Sequence, residues 1–291
     1  MKRFLFISGT LFFILSVTNN AHSQAVVVPD TLNGWENTWS ANLFGAQASY
    51  NNWSQGGVST LSGRASTVYM AMYRDKQFAY GFRVNMKYGQ SKVKEEGVRK
   101  TDDVIAVRNR FTYALERNGQ FSAYGAVSLQ TQFDEGYEYN AKVAGGDSLI
   151  SNFFAPAYFN EGIGISYQPN TELTFEFGVG LKQTIVNDDS LTENYGLEPG
   201  DNFRSEGGLT TGITLQKEIM ENVNYASSLE TFTNLHMTID KTDIMWVNEL
   251  AGQINKTISA SFQFEMRYDA DFSSKLQLKQ VLSAGVTLSI F

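Results

Sequence analysis

Phe78, Tyr80, Phe82, Val84, Met86 and Tyr88 alternate with Ala79, Gly81, Arg83, Asn85 and Lys87. A period of two marks a β-strand, and aromatics on one side with charges on the other fit a strand lying between an apolar medium and water. The end of the chain repeats the pattern, with Leu282, Ala284, Val286, Leu288 and Ile290 set against Ser283, Gly285, Thr287 and Ser289 before Phe291. No apolar run beyond the N-terminus is long enough for a membrane helix. A transmembrane β-barrel escapes that requirement because only every second residue of each strand meets lipid.

Alternation of this kind predicts twelve strands, at 39–50, 60–73, 78–88, 103–116, 121–133, 157–167, 173–182, 203–216, 223–233, 242–254, 258–271 and 280–291. Connections after even-numbered strands read as short turns, near Asp75, Asn118, Pro169, Glu221 and Asn255, with Asn118-Gly119 a tight hairpin signal. Those after odd-numbered strands read as longer, the longest being 134–156 and 187–202. Short periplasmic turns, longer extracellular loops and an even strand count are the topology of bacterial outer-membrane barrels. A soluble β-sandwich also yields alternating strands. It does not readily yield twelve long ones with alternating connection lengths.

Residues 1–23 read as a signal peptide: Lys2 and Arg3, then the apolar run 4–17, then Ala21-His22-Ser23 before Gln24. Residues 24–37, with Pro29 and Gly34, read as a periplasmic lead-in, and 38–291 as the barrel. The 291-residue chain has no cysteine, which excludes disulfides, thiol catalysis and thiolate metal sites. Its formal charge of -7, more negative once Lys2 and Arg3 are removed, argues against nucleic acid as a partner.

The inward positions carry charges of opposite sign in two arcs. Strands two to four place Arg64, Arg83, Lys87, Arg108 and Arg110 inside, and strands seven to eleven place Glu176, Glu206, Glu230, Glu249 and Glu265 there, with Lys182 and Arg267 as exceptions. Facing arcs of this kind set a transverse field at a constriction. The expected constriction is Arg64, Arg83, Arg108 and Arg110 against Glu176, Glu249 and Glu265. The same residues could instead pair and fill the lumen, because an unpaired buried charge is costly.

His236 is the only histidine after the leader, and Thr238 stands where a strand-borne histidine hydrolase would have its serine. No catalytic role, cofactor or metal is expected. Asp134, Glu135 and Glu138, like Asp188, Asp189 and Glu193, offer carboxylates for calcium but lack the spaced Asp/Asn-Gly pattern, so they read as solvated loops.

The last strand resembles the terminal signal by which outer-membrane barrels are recognised for insertion, although its apolar residues are out of phase with Phe291. Asn52-Trp53-Ser54-Gln55-Gly56-Gly57, Lys100-Thr101-Asp102-Asp103 and 131–137 resemble the motifs of an uncharacterised bacterial outer-membrane family, a domain of unknown function. The resemblance implies a barrel and carries no activity. Asn52, Trp53, Gly56, Gly57, Asp102 and Asp103 would shape the extracellular mouth, with Asp102 and Asp103 placed to pair with Arg108 and Arg110. The expectations are a narrow channel for small polar or charged solutes in the outer membrane or, alternatively, a non-conducting structural or assembly barrel, with a membrane-embedded hydrolase resting on His236 as the third and weakest reading. Expected partners are lipid and lipopolysaccharide, the barrel-assembly machinery during insertion, and an envelope protein.

Overall fold

A computed structural model describes residues 26–49, 59–94, 96–116, 119–141, 146–271 and 273–290. Residues 1–25, which include the stretch read as a signal peptide, and Asn52, Trp53, Gly56, Gly57, Asn118 and Phe291 lie outside the described residues. Twelve antiparallel strands close into a barrel: β1 (Gly34–Ala48), β2 (Thr60–Asp75), β3 (Phe78–Val93), β4 (Gly97–Ala114), β5 (Phe121–Thr131), β8 (Ala157–Tyr167), β9 (Leu173–Ile185), β10 (Phe203–Met220), β11 (Val223–Asn234), β12 (Asp243–Gln253), β13 (Ile258–Asp269) and β14 (Ser273–Ser289). Two further strands, β6 (Gly136–Ala141) and β7 (Gly146–Ser151), form a separate hairpin inside the long β5–β8 connection. That hairpin and the 3-10 helix at Asp189–Tyr195 fall in stretches read from the sequence as plain loops.

Closure follows from the alternation. Ile163, Ile165, Phe175, Phe177, Val179 and Leu181 all face out, Phe177 at 60% exposure, which in water would be a large apolar patch and in lipid is a matched surface. Backbone groups pair strand to strand around the ring, as a hydrocarbon surround requires, with β1 and β14 registered over a shorter stretch than the other neighbours. Tyr80 and Phe111 sit 4.9 Å apart and Phe121 and Tyr167 4.6 Å apart near the short-turn end, forming part of an aromatic belt.

Strand ends differ from the sequence reading in two instructive ways. β1 begins at Gly34, so 34–37 belong to the wall and not to the lead-in. β3 and β4 run on to Val93 and Gly97, and β14 already begins at Ser273, close behind the end of β13 at Asp269, so two connections at the long-loop end are short.

Candidate functional site: the lumen and its two ends

Mid-lumen, the two charge arcs meet as ion pairs. Arg108 on β4 donates from both guanidinium ends to Glu230 on β11, at 2.9 and 3.3 Å, crossing most of the barrel. Arg110, one turn of the alternation further along, pairs with Glu176 on β9, donates to Ser166 at 3.3 Å, and lies 4.9 Å over the Tyr124 ring. Bidentate geometry suits arginine, whose planar fork matches a carboxylate. Arg83 is buried and lies within electrostatic reach of Glu249 and Arg108.

Space beside these struts comes from glycine. Gly162, Gly180 and Gly208 sit in one cross-strand row, and Gly164 pairs with Gly178. A Cβ at Gly178 would press on the Tyr124 hydroxyl, and one at Gly208 on the Phe232 ring. The result is a cavity of about 270 Å³ bordered by Arg108, Arg110, Tyr124, Glu176, Lys182 and Glu230. The alternation shows these glycines as inward positions, and their smallness was the available signal for where the lumen stays open.

Asp102 and Asp103 do not pair with Arg108 and Arg110. Asp102 keeps the inward phase of Arg108 and Arg110 but lies six residues along β4 from Arg108, and Asp103 has the opposite phase; the bulge between Gly89 and Gln90 of β3 leaves Thr101 as an extra residue in β4 only beyond them. Asp102 is buried in the lumen, 3.6 Å from Arg64 and 2.8 Å from Lys279 of β14. Asp103 instead pairs with Lys100 at 2.8 Å and accepts from the backbone N–H groups of Phe133 and Asp134. It thereby anchors the start of the β5–β8 connection. Asp134 in turn accepts from the Tyr88 hydroxyl at 2.8 Å and from the Glu135 N–H, which holds its carboxyl below the usual range. Glu265 lines a smaller cavity with Arg83, Lys87, Asp102 and Lys279.

The long-loop end is covered by a small core of its own. Ala155, Val186, Leu191, Tyr195 and Leu197 are buried together, with Leu149 of β7 packed against them. Asp188 caps the 3-10 helix by accepting from the Ser190 N–H and hydroxyl, which also keeps its carboxyl low. Gly196 ends it in the left-handed region, φ 70°, where a side chain would be strained and would meet the Asp271 carbonyl. Tyr195 donates to the Ile150 carbonyl at 2.7 Å, and Arg204 ties the Tyr195 and Gly196 carbonyls to Glu206 and Asp271. Below it, the buried Lys182 bridges Asp243 at 2.5 Å and Asp269 at 3.1 Å, two acids the sequence reading did not single out.

At the short-turn end the lead-in turns back into the lumen. Val26 and Val28 are buried there, and Val28 packs with Met72 and Ala79. A Cβ at Gly81 of β3 would collide with Val26, so this inward glycine is what admits the segment. Arg74 secures it by donating to the Pro29 and Val28 carbonyls at 2.9 Å each and pairing with Asp30 at 2.8 Å. The segment reaches the walls that carry Arg110 and Glu176.

Among the described residues no group of three His, Cys, Asp or Glu side chains is placed to hold a metal. The N–H of His236 donates to the Asn234 side chain at 2.8 Å in the turn after β11. Asp134 and Glu135 are engaged by Tyr88 and Tyr137, and neither loop gathers its carboxylates around a point.

A family model described as a protein of unknown function, DUF3078, matches residues 46–137. That span contains all three of the motif stretches. No curated protein matches the chain. Among solved structures the chain is similar to the translocator domain of the autotransporter NalP from Neisseria meningitidis, at 13% identity over 89% of this chain and 90% of that one, TM-score 0.41. It is also similar to an outer-membrane channel from Pseudomonas putida F1, at 8% identity over 91% and 99%, TM-score 0.41. The KdgM porin in complex with disordered oligogalacturonate matches at 10% identity over 88% and 100%, TM-score 0.34. What each of those proteins carries belongs to it. The chain is an antiparallel, twelve-stranded barrel of the transmembrane class, in part matched by a family of unknown function.

Proposed function

We propose that the protein is an outer-membrane barrel acting as a narrow channel for small polar or charged solutes, held shut at its periplasmic end by its own N-terminal segment. The observation that carries this reading is the kind of closure at that end. Val26–Asp30 is a separate stretch of chain fixed by Arg74 and by two buried valines, and the wall behind it supplies small residues, Ala79 and Gly81. A lumen meant to stay filled has no need of glycines along β8–β10 or of a removable stopper. With the segment withdrawn, the polar cavity beside Arg108–Glu230 and Arg110–Glu176 becomes the constriction, and its transverse charge pairs orient dipolar solutes.

The reading carries no catalytic role for His236. Outer-membrane lipid and lipopolysaccharide are its surroundings, and the barrel-assembly machinery its partner during insertion. Lys100, Asp103 and 131–137 serve to tether the β5–β8 connection at the mouth. A second reading, a non-conducting structural or assembly barrel, draws on the same cross-lumen pairs, which brace the wall.

Planar-bilayer recording with ion selectivity taken from the reversal potential tests the choice. With the segment released by Gly81→Val, Glu230→Gln leaves Arg108 without its carboxylate, so the channel reading expects a shift toward anions. No openings from any variant would favour the bracing barrel, and openings with an unchanged reversal potential would move the constriction away from Arg108 and Glu230.

A further inference from the structure

The seam that closes the barrel is made over only part of its length. β1 and β14 are in register from Ser40↔Ser289 to Phe44↔Gly285, five rungs, whereas every other pair of neighbouring barrel strands is registered over ten or more. Among the described residues beyond Phe44, Gly45 to Ala48 of β1 pair only with β2, and Val281 to Ala284 of β14, which the register would set opposite them, pair only with β13. Two strand edges therefore part toward the extracellular side. An unpaired edge facing hydrocarbon is costly, so such a gap calls for an occupant or a purpose.

Three features gather where the pairing stops. The last rung is a wedge: the Phe44 ring lies against Gly285, where any Cβ would collide with it, and the Arg64 guanidinium sits 4.7 Å over that ring. Inside the lumen, Lys279 of β14 donates to Asp102 at 2.8 Å, and Asp102 lies 3.6 Å from Arg64 of β2. One carboxylate thus spans the parted edges as an ionic clasp, with Arg83 and Lys87 lining the same small cavity. Outside, over the last paired rungs and bordering the gap, is an apolar groove of about 560 Å³ bordered by Leu43, Met86, Phe133, Val286 and Leu288. Lys87 borders both spaces, so the cationic cavity and the apolar groove stand back to back across the β1–β3 wall.

We propose that the seam is a lateral port for a single-chain anionic amphiphile of the long-chain fatty-acid class, passing between the lumen and the outer face of the barrel. Its carboxylate competes with Asp102 for Lys279 and Arg64, a site already shaped to hold one carboxylate between an ammonium and a guanidinium. Its alkyl chain leaves between β1 and β14 and lies in the groove. This port stands apart from the axial channel, because it is read as bound amphiphile without any ion current.

The test uses the full-length protein in lipid nanodiscs with a fluorescent sixteen-carbon fatty acid as the probe. Palmitate should displace the probe, while hexadecanol, which has the tail alone, and acetate, which has the head alone, should each compete about tenfold more weakly or worse. Lys279→Gln should weaken probe binding by about tenfold, the loss of one charge-assisted hydrogen bond. Because the chain has no cysteine, Ala46→Cys with Ser283→Cys can be joined across the seam by a short bis-maleimide, which should stop probe exchange. Heat-modified gel mobility confirms that each variant is a folded barrel. Equal competition by hexadecanol and palmitate would overturn the proposal, leaving a lipid-coated surface. So would unchanged exchange in the cross-linked protein, or full probe affinity in Lys279→Gln.

Discussion

At the long-loop end the lumen is covered by a buried apolar cluster around Leu191 and by two ion networks centred on Lys182 and Arg204, whereas at the short-turn end it is stopped by a short run of chain leaning on two valines and one arginine. The first closure shares residues with the barrel wall, since Lys182, Glu206 and Asp269 belong to strands. Removing any of them costs the wall as well. The second shares almost nothing with the wall except Arg74, Met72 and Ala79, so it can be released while the barrel stands. On the proposed channel reading, that difference gives rigidity to one end and the gate to the other.

The largest effect should come from the rigid end. Lys182→Met leaves Asp243 and Asp269 facing each other in a buried site, and breaking a buried pair this way costs about 3–5 kcal/mol. Urea unfolding followed by gel mobility should show that loss for the whole barrel; a variant as stable as the wild type would mean that the network is solvated. Leu191→Ala opens a hole in the loop core and should cost about 2–4 kcal/mol locally. Limited proteolysis should then cut within 188–202 at least tenfold faster, while the unfolding midpoint of the barrel holds. A shift of that midpoint would show that the lid and wall are one unit.

Smaller effects are expected where the segment is held. Arg74→Ala removes hydrogen bonds to two carbonyls and a part-exposed ion pair, worth about 1–2 kcal/mol together. A thiol introduced by Val28→Cys should react with maleimide roughly tenfold faster in the Arg74→Ala background, and an equal rate would place the hold elsewhere. Smallest is the Asp134 clamp. Its carboxyl is held low by the Tyr88 hydroxyl, so its docking is fully present above the ordinary carboxylate pKa and is lost only as pH falls through the lower folded value. An NMR titration of Asp134 should show a midpoint under the ordinary aspartate value of about 3.9, and a midpoint at that value would remove the clamp from the account.

The wall was legible because burial of alternate residues is a local property, written into segments such as Phe78–Val93. The partners across the lumen were not. That Arg108 meets Glu230 rather than Glu249 depends on how far the strands are staggered around the ring, which no single segment records. Asp102 was given the wrong partners because alternation fixes its inward side but not what it meets: six residues along β4 from Arg108, it faces Lys279 of β14 and Arg64 of β2, a pairing set by how the ring closes. The lead-in was read as bare linker for want of a period, yet its consecutive Val26, Val27 and Val28 are an apolar run in a stretch assigned to water. That mismatch was the available sign of a segment bound inside the barrel.

Single-channel recording of Gly81→Val tests the central claim most directly. The added side chain takes the space of Val26 and evicts the segment while leaving Arg108, Arg110 and their partners in place. The account predicts a wild-type protein that is mostly silent and a variant with steady small openings. A variant as silent as the wild type, with Val28→Cys now freely labelled to prove the segment has left, would mean that the mid-lumen pairs close the barrel and that it is no channel.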